Sequence, residues 1–230
     1  MANIITAPTN FPQRISMYVP GMQYASDVNM SGVTRVPLGA PSAASPTSIL
    51  NAQSTAAAGT VDVRNNPGAA IGAPYGRNLQ VVISATATIT VTVRGQDYLG
   101  QALTENFAFT SGGGTTLTGV KAFKNVQTVT TSVGVAGTMN VGQGAALGLP
   151  YKTENVSREM ANGSPVASVG TLQLPSLADP ATPTSLDPRG LYTPVTTVNG
   201  LNIISAVCAC LNDVNSANHG GLHGIAHYAG

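Results

Sequence analysis

The residues of this chain best suited to chemistry lie close to its end. His219, His223 and His227 recur every four residues, and Cys208 and Cys210 sit two apart. Imidazoles at i and i+4 share one face of a helix and can hold a transition metal together. Thiols at i and i+2 share one face of a strand. The segment HGGLHGIAHYAG, however, carries Gly220, Gly221 and Gly224, and each glycine disfavours a helix by about 1 kcal/mol. We therefore expect no metal site and no cofactor, with these three histidines as the residues that would hold a metal if one were bound. The tail reads instead as a Gly-rich segment packing on a neighbouring subunit. Cys208 and Cys210 read as small core residues, since two cysteines cannot staple 230 residues.

No nucleophile elbow, P-loop or H-E-x-x-H occurs, and the glycines at 142, 144 and 148 do not fit a dinucleotide fingerprint. Nine carboxylates are scattered without a paired acid and base. The expectation is a protein that is not an enzyme. Interface candidates are easier to name. Tyr75, Arg77 and Tyr98 are of the types enriched where proteins anchor to one another. Lys121 and Lys124 flank Phe123 and read as a solvated edge that meets a partner or discourages stray strand pairing.

Composition narrows the classes further. Charged residues make up 8 % of the chain, against about a quarter in an ordinary soluble domain. Net charge is +1 and 43 % of residues are hydrophobic, which argues for a folded chain whose surface is Thr, Ser, Asn, Gln and Ala. Ten Lys and Arg, spread thinly, offer no cluster for a run of phosphates, so nucleic acid is not an expected partner. No apolar run approaches the roughly 20 residues of a membrane span, so a membrane is not expected either. MANIITAPTNFPQR does not begin as a secretory signal does. With no Trp and 5 % aromatics, an aromatic platform for sugars is disfavoured.

The elements that would position any site follow from periodicity. In LQVVISATATITVTV, residues 79–93, every odd position is Leu, Val, Ile or Ala, and the even ones are mostly Thr, Ser and Gln. This is a strand pattern. It is too long for one strand, so a turn near Ser84, Ala85 and Thr86 should split it. GQDYLGQ, residues 95–101, reads as a turn. Leu103, Phe107 and Phe109 then alternate, with Glu105 breaking the pattern. Residues 111–114 read as a loop. Phe123, Val126 and Val129 are spaced by three, but the Val and Thr content favours a strand with a bulge. Residues 138–141 add a strand. LNIISAVCACL, residues 201–211, is apolar on both faces and reads as a covered strand. The Ala-rich residues 49–59 suggest a short helix.

Proline divides the chain. Eight prolines fall in residues 1–76 and none in 77–149, and prolines interrupt sheets. The expected organisation is an extended Pro-rich arm and connector over 1–76, a β-sandwich core over 77–149, and Pro-rich loops, a closing strand and a Gly/His tail over 150–230. The fold class is all-β: an antiparallel β-sandwich, Ig-like or jelly-roll-like, with an N-terminal arm and a C-terminal tail.

Five stretches carry a resemblance. GRNLQVVIS (76–84), TVTVRGQDYLGQALTENF (90–107), GVKAFKNVQTVTTS (119–132), VGQGAALGLPY (141–151) and DPRGLYTP (187–194) resemble structural proteins of tailed bacteriophages. The resemblance implies a virion component without a catalytic role, of the capsid cement or decoration type with an Ig-like β domain. It implies the major capsid protein and further copies of the chain as partners, in a dimer or trimer. The location implied is the capsid surface, reached by assembly in the host cytoplasm. A neck, tail or fibre-associated structural protein is the alternative within the same class.

Overall fold

A computed structural model describes residues 32–111, 115–176 and 178–210, and every regular element in it is a strand. The first seven are β1 (Gly32–Gly39), β2 (Ser45–Ser54), β3 (Gly59–Asp62), β4 (Arg77–Ile83), β5 (Ile89–Gln96), β6 (Ala102–Phe109) and β7 (Thr116–Thr118). They are followed by β8 (Asn125–Thr131), β9 (Thr138–Gly148), β10 (Thr153–Ala161), β11 (Ser164–Pro165), β12 (Thr171–Gln173), β13 (Leu191–Thr193) and β14 (Ile204–Cys210). Three sheets result, with orders β1-β14-β10-β11, β12-β13-β9-β4-β7 and β3-β8-β5-β6; β2 also pairs with β9. The paired strands run antiparallel. The architecture is an all-β antiparallel sandwich.

The long alternation splits as its length demands. β4 ends at Ile83, the chain bends at residues 84 and 85, and β5 starts at Ile89. The two strands then enter different sheets. Leu79, Val81, Ile83, Ile89, Val91 and Val93 are all buried and belong to one hydrophobic cluster. The same parity therefore serves two sheets packed face to face, as alternation in a sandwich requires.

The three-residue spacing of Phe123, Val126 and Val129 also has a geometric cause. β8 pairs with β5 through Gly95↔Val126 and Arg94↔Thr128, so Gln127 is an extra residue at a bulge. The bulge resets the pleat, and Val126 and Val129 both face inward, each fully buried. The covered strand expected near the end of the described chain is β14. It lies between β1 and β10; Ile204, Ala206, Cys208 and Cys210 are buried, and Val207 and Ala209 are half-buried.

Two expectations are corrected. Residues 49–59 form no helix: residues 45–54 are β2, followed by a bend and the start of β3. Ile49 and Leu50 are buried against the core, and pairing with β9 outweighs the helix preference of alanine. Ala52 takes a left-handed φ of 51° at a break in the register, held by a 2.7 Å hydrogen bond from its N–H to Asn140 Oδ1. The second correction concerns residues 32–76. They are not an arm, because β1, β2 and β3 are distributed over all three sheets and Val36, Leu38, Ile49, Val63, Ala69 and Ile71 are core. Their prolines sit at edges and in connections, where a missing donor does little harm. The remainder of the expected arm, residues 1–31, lies outside the described residues, as do residues 112–114 of the loop and the tail bearing His219, His223 and His227.

The glycines of β9 mark close approaches. A Cβ on Gly142 would stand 1.9 Å from the Ser45 carbonyl oxygen, and one on Gly148 would stand 2.1 Å from that of Tyr75. Neither neighbour is a flexible side-chain end. Gly142→Ala should destabilise the fold by about 1–3 kcal/mol, the usual cost of overpacking. Urea unfolding monitored by circular dichroism checks this, and an unchanged midpoint would refute the contact.

Candidate functional site

Several of the chain's few charged residues turn inward. Glu105, which breaks the apolar alternation of β6, is 3 % exposed; Asp97 and Lys121 are 2 % and 0 % exposed, and Asp187 and Arg189 are 0 % and 1 %. Four segments bring them together: the turn after β5, β6 itself, the connection between β7 and β8, and the loop before β13.

Asp97 opens the turn between β5 and β6. Its Oδ1 accepts the N–H groups of Leu99 and Gln101 at 2.9 and 2.8 Å, and Gly100 supplies the left-handed φ of 82°. Its Oδ2 accepts from Arg189 Nη2 at 2.7 Å, forming a buried ion pair. Arg189 also lies over the Tyr98 ring, 4.8 Å from the centroid. Two residues upstream, Asp187 accepts the N–H of Arg189 and the N–H of Ala122, both at 2.9 Å. The N–H of Asp187 donates to the Val120 carbonyl. The N–H of Val120 donates in turn to Glu105 Oε1. Gly119 leaves room for that carboxyl, since a Cβ there would stand 2.6 Å from Glu105 Oε2.

Lys121 completes the cluster without an ion pair at contact distance. Its Nζ donates to the carbonyls of Thr104, Pro180 and Thr182 at 2.6–2.7 Å. Three carbonyl oxygens thus replace the water around the ammonium, and burial lowers its pKa. Burial also pushes Asp187 up. For Glu105, burial is the largest influence and outweighs the Val120 hydrogen bond and the nearby Lys121 charge, raising its pKa to about 7.

Two further buried charges join sheets. Arg77, at the start of β4, donates to the carbonyls of Ser42 and Gly144. Its backbone exchanges two hydrogen bonds with Phe123, at 2.9 and 2.8 Å, which tethers β4 to the approach to β8. Burial lowers the Arg77 pKa to about 10. Glu159, on the inward face of β10, accepts from the Tyr192 hydroxyl and from the N–H groups of Val195 and Thr196. Burial alone would raise this carboxyl, but the donors from Thr196, Tyr192 and Val195 prevail and hold it below the usual range.

The interface candidates are thereby re-sorted. Arg77, Lys121 and Phe123 are each 0 % exposed, so they belong to the interior of the chain and not to an edge or docking surface. Lys124 is half-buried, with Nζ on the Ala73 carbonyl at 2.7 Å. The physical reason is common to both lysines: a long apolar stem reaches backbone carbonyls that hydrate the ammonium in place of water. Tyr75 and Tyr98 are half-buried and face each other edge-on, with centroids 5.3 Å apart. The Tyr98 hydroxyl donates to the Pro150 carbonyl at 2.7 Å, and burial pushes its pKa up to about 12. Cys208 and Cys210 are buried free thiols in the core. Burial pushes them up to about 12 and about 11, far from the reactive thiolate range.

The buried cluster was missed in the sequence, where only the odd placement of Glu105 hinted at it. Its parts lie far apart along the chain: Asp97 and Glu105 in residues 90–107, Lys121 in 119–132, Asp187 and Arg189 in 187–194. With every member at 3 % exposure or less, the cluster is closed to a substrate from solution and acts as a clamp. Among the described residues no group of three His, Cys, Asp or Glu is placed to hold a metal. A shallow cleft of about 320 Å³ opens beside β3, lined by Gln53, Ser54, Ala57, Thr60, Thr131 and Met139 among others; its lining carries no ionisable side chain. No family profile matches the chain, and neither curated proteins nor solved structures give a significant match.

Asp97→Ala should cost about 3–5 kcal/mol, because it strands the Arg189 guanidinium in the interior; chemical denaturation measures it. Glu105 sets a pH dependence. Its folded pKa of about 7 lies above the ordinary 4.5, so the folded state binds the extra proton and the contribution is fully present below about pH 4.5. It is lost as pH rises through about 7. Glu105→Gln should flatten that slope and be the more stable form at pH 8, as read from melting temperatures between pH 4.5 and 8. An unchanged slope would contradict the assignment.

Proposed function

We propose that this chain is a structural component of a tailed-bacteriophage virion, a cement or decoration protein that binds the assembled capsid shell and stabilises it through subunit contacts. The observation that carries the reading is an inversion of the usual surface. Of the seven carboxylates among the described residues, four (Asp97, Glu105, Glu159 and Asp187) are buried, and only Asp62, Glu154 and Asp179 are exposed. Large apolar side chains stand outside instead: Leu201 is 80 % exposed, Val33 and Ile203 60 %, Leu174 58 % and Val195 54 %. A chain with this distribution has little charge to keep copies apart and has apolar surface that association would cover.

The outward face of the β3-β8-β5-β6 sheet supports the same reading. Thr60 and Thr130 hydroxyls share a 2.9 Å hydrogen bond, and Thr92 Oγ1 donates to Asn106 Oδ1 at 2.8 Å. The result is a flat polar face with few charges, suited to close packing against another subunit. The partners in this reading are the major capsid protein and further copies of the chain, on the capsid surface after assembly in the host cytoplasm. The resemblance to phage structural proteins in residues 76–151 and 187–211 points the same way.

The test is stoichiometric binding to shells that lack the protein, with copy number per particle read by quantitative mass spectrometry. Hundreds of copies and a raised shell melting temperature are expected. About a dozen copies would place the chain at a neck or tail ring instead, and no binding to particles would overturn the reading.

A further inference from the structure

Exposed sheet edges invite further strands, and folded chains blunt them. Most edges of this molecule are blunted. β11, β12, β7 and β3 are two, three, three and four residues long. β6 is covered on its outer side, where the N–H groups of Thr104 and Asn106 donate to the carbonyls of Pro180 and Pro183. β2 contains Pro46 and two breaks in register, and residues 66–68 lie over it, with Asn66 Nδ2 donating to the Ile49 carbonyl. β10 is interrupted by two register shifts.

β1 is different. It ends its sheet and keeps six unbroken rungs to β14, from Gly32↔Cys210 to Pro37↔Ser205. Among the described residues, no loop forms a backbone hydrogen bond with its outer side. Val33, beside Ala209 on the outward face, is 60 % exposed. Pro37 removes a donor near one end, which leaves residues 32–36 as the length able to accept a strand.

We propose that the outer edge of β1 accepts residues 15–19 of a second copy of this chain as an added antiparallel strand. The inference rests on the reading of the chain as an assembly part and deepens it. Within residues 1–31, the run ISMYV at 15–19 is uncharged, rich in β-branched and aromatic residues, and closed by Pro20. Its five residues match the five available on β1. The donor is a neighbour because twelve residues, 20–31, separate the run from Gly32. Hairpin connections are usually about 2–5 residues, whereas twelve extended residues span roughly 40 Å, enough to cross to an adjacent molecule. Symmetric pairing of two β1 strands is disfavoured, since it would bring two Arg35 side chains together near the middle of one face.

The experiment uses the full chain, a chain lacking residues 2–31, and the Tyr18→Pro variant, which alters the run and leaves the sequence of every described residue unchanged. Analytical ultracentrifugation across a dilution series should show that the full chain self-associates, and that the other two are monomers with the same melting temperature as the diluted full chain. A synthetic peptide of residues 10–22, added to the shortened chain, should slow amide exchange at residues 32–36 by at least about tenfold. Three results would overturn the proposal: association that survives removal of residues 2–31, exchange protection of β1 in the full chain that does not change on dilution, or a peptide that leaves β1 exchange unaltered. Shell binding by the full chain is scored separately. Shell binding without any strand addition at β1 would reject this inference alone, and strand addition at β1 without shell binding would reject the cement reading alone.

Discussion

The structure depends on a buried ion pair, Asp97 with Arg189, at the join between two sheets. Asp97 follows β5 in one sheet and Arg189 precedes β13 in another, and both side chains are essentially without solvent contact. Such a pair contributes little net stability by itself, because removing both charges from water is costly. Its effect is to specify. Each Asp97 carboxylate oxygen has a partner, and the guanidinium gives Nη2 to Asp97 and stacks over the Tyr98 ring, which fixes the loop at 187–190 relative to the turn at 97–100. Asp187 and Lys121 extend the same constraint to residues 119–122 and to the carbonyls at 180 and 182.

The same principle recurs at the other joins. Arg77 secures residues 42 and 144 around the start of β4. Glu159 gathers Tyr192, Val195 and Thr196 against β10. A sandwich of three small sheets has many irregular connections between its layers, and their backbone carbonyls and N–H groups need partners when buried. Long charged side chains supply those partners where no ladder can. This places much of a small stock of charge in the interior, and it leaves Thr, Ser, Asn and apolar residues to form the surface. Fold and proposed use are thus connected: the arrangement that organises the interior also yields a surface with little to oppose close packing.

Edges show the other side of this economy. Short strands, bulges and a covering loop close most of the sheet margins, while β1 keeps six unbroken rungs on one side and, among the described residues, has no loop backbone partner on the other. β1 is also where residues 1–31 join the described body, opposite the rung from which residues 211–230 depart.

Local pattern determined a good part of this protein. The period-2 alternation at 79–93, the turn carrying Gly100, the bulged strand over 125–131 and the apolar strand at 204–210 are all legible in sequence, because each depends on neighbours along the chain; Gly95, read as the start of that turn, lies instead within β5. Proline content was a poorer guide: residues 32–76 looked like an arm and proved to be three strands, since a proline at an edge or in a connection is compatible with a sheet. Alanine in residues 49–59 likewise suggested a helix that pairing with β9 overrides. Tertiary structure alone decided where the charges went. Whether Lys121 or Arg77 faces water depends on carbonyls tens of residues away, which no periodicity records, and only the packing of three sheets brings Asp97, Glu105, Asp187 and Arg189 into one closed cluster.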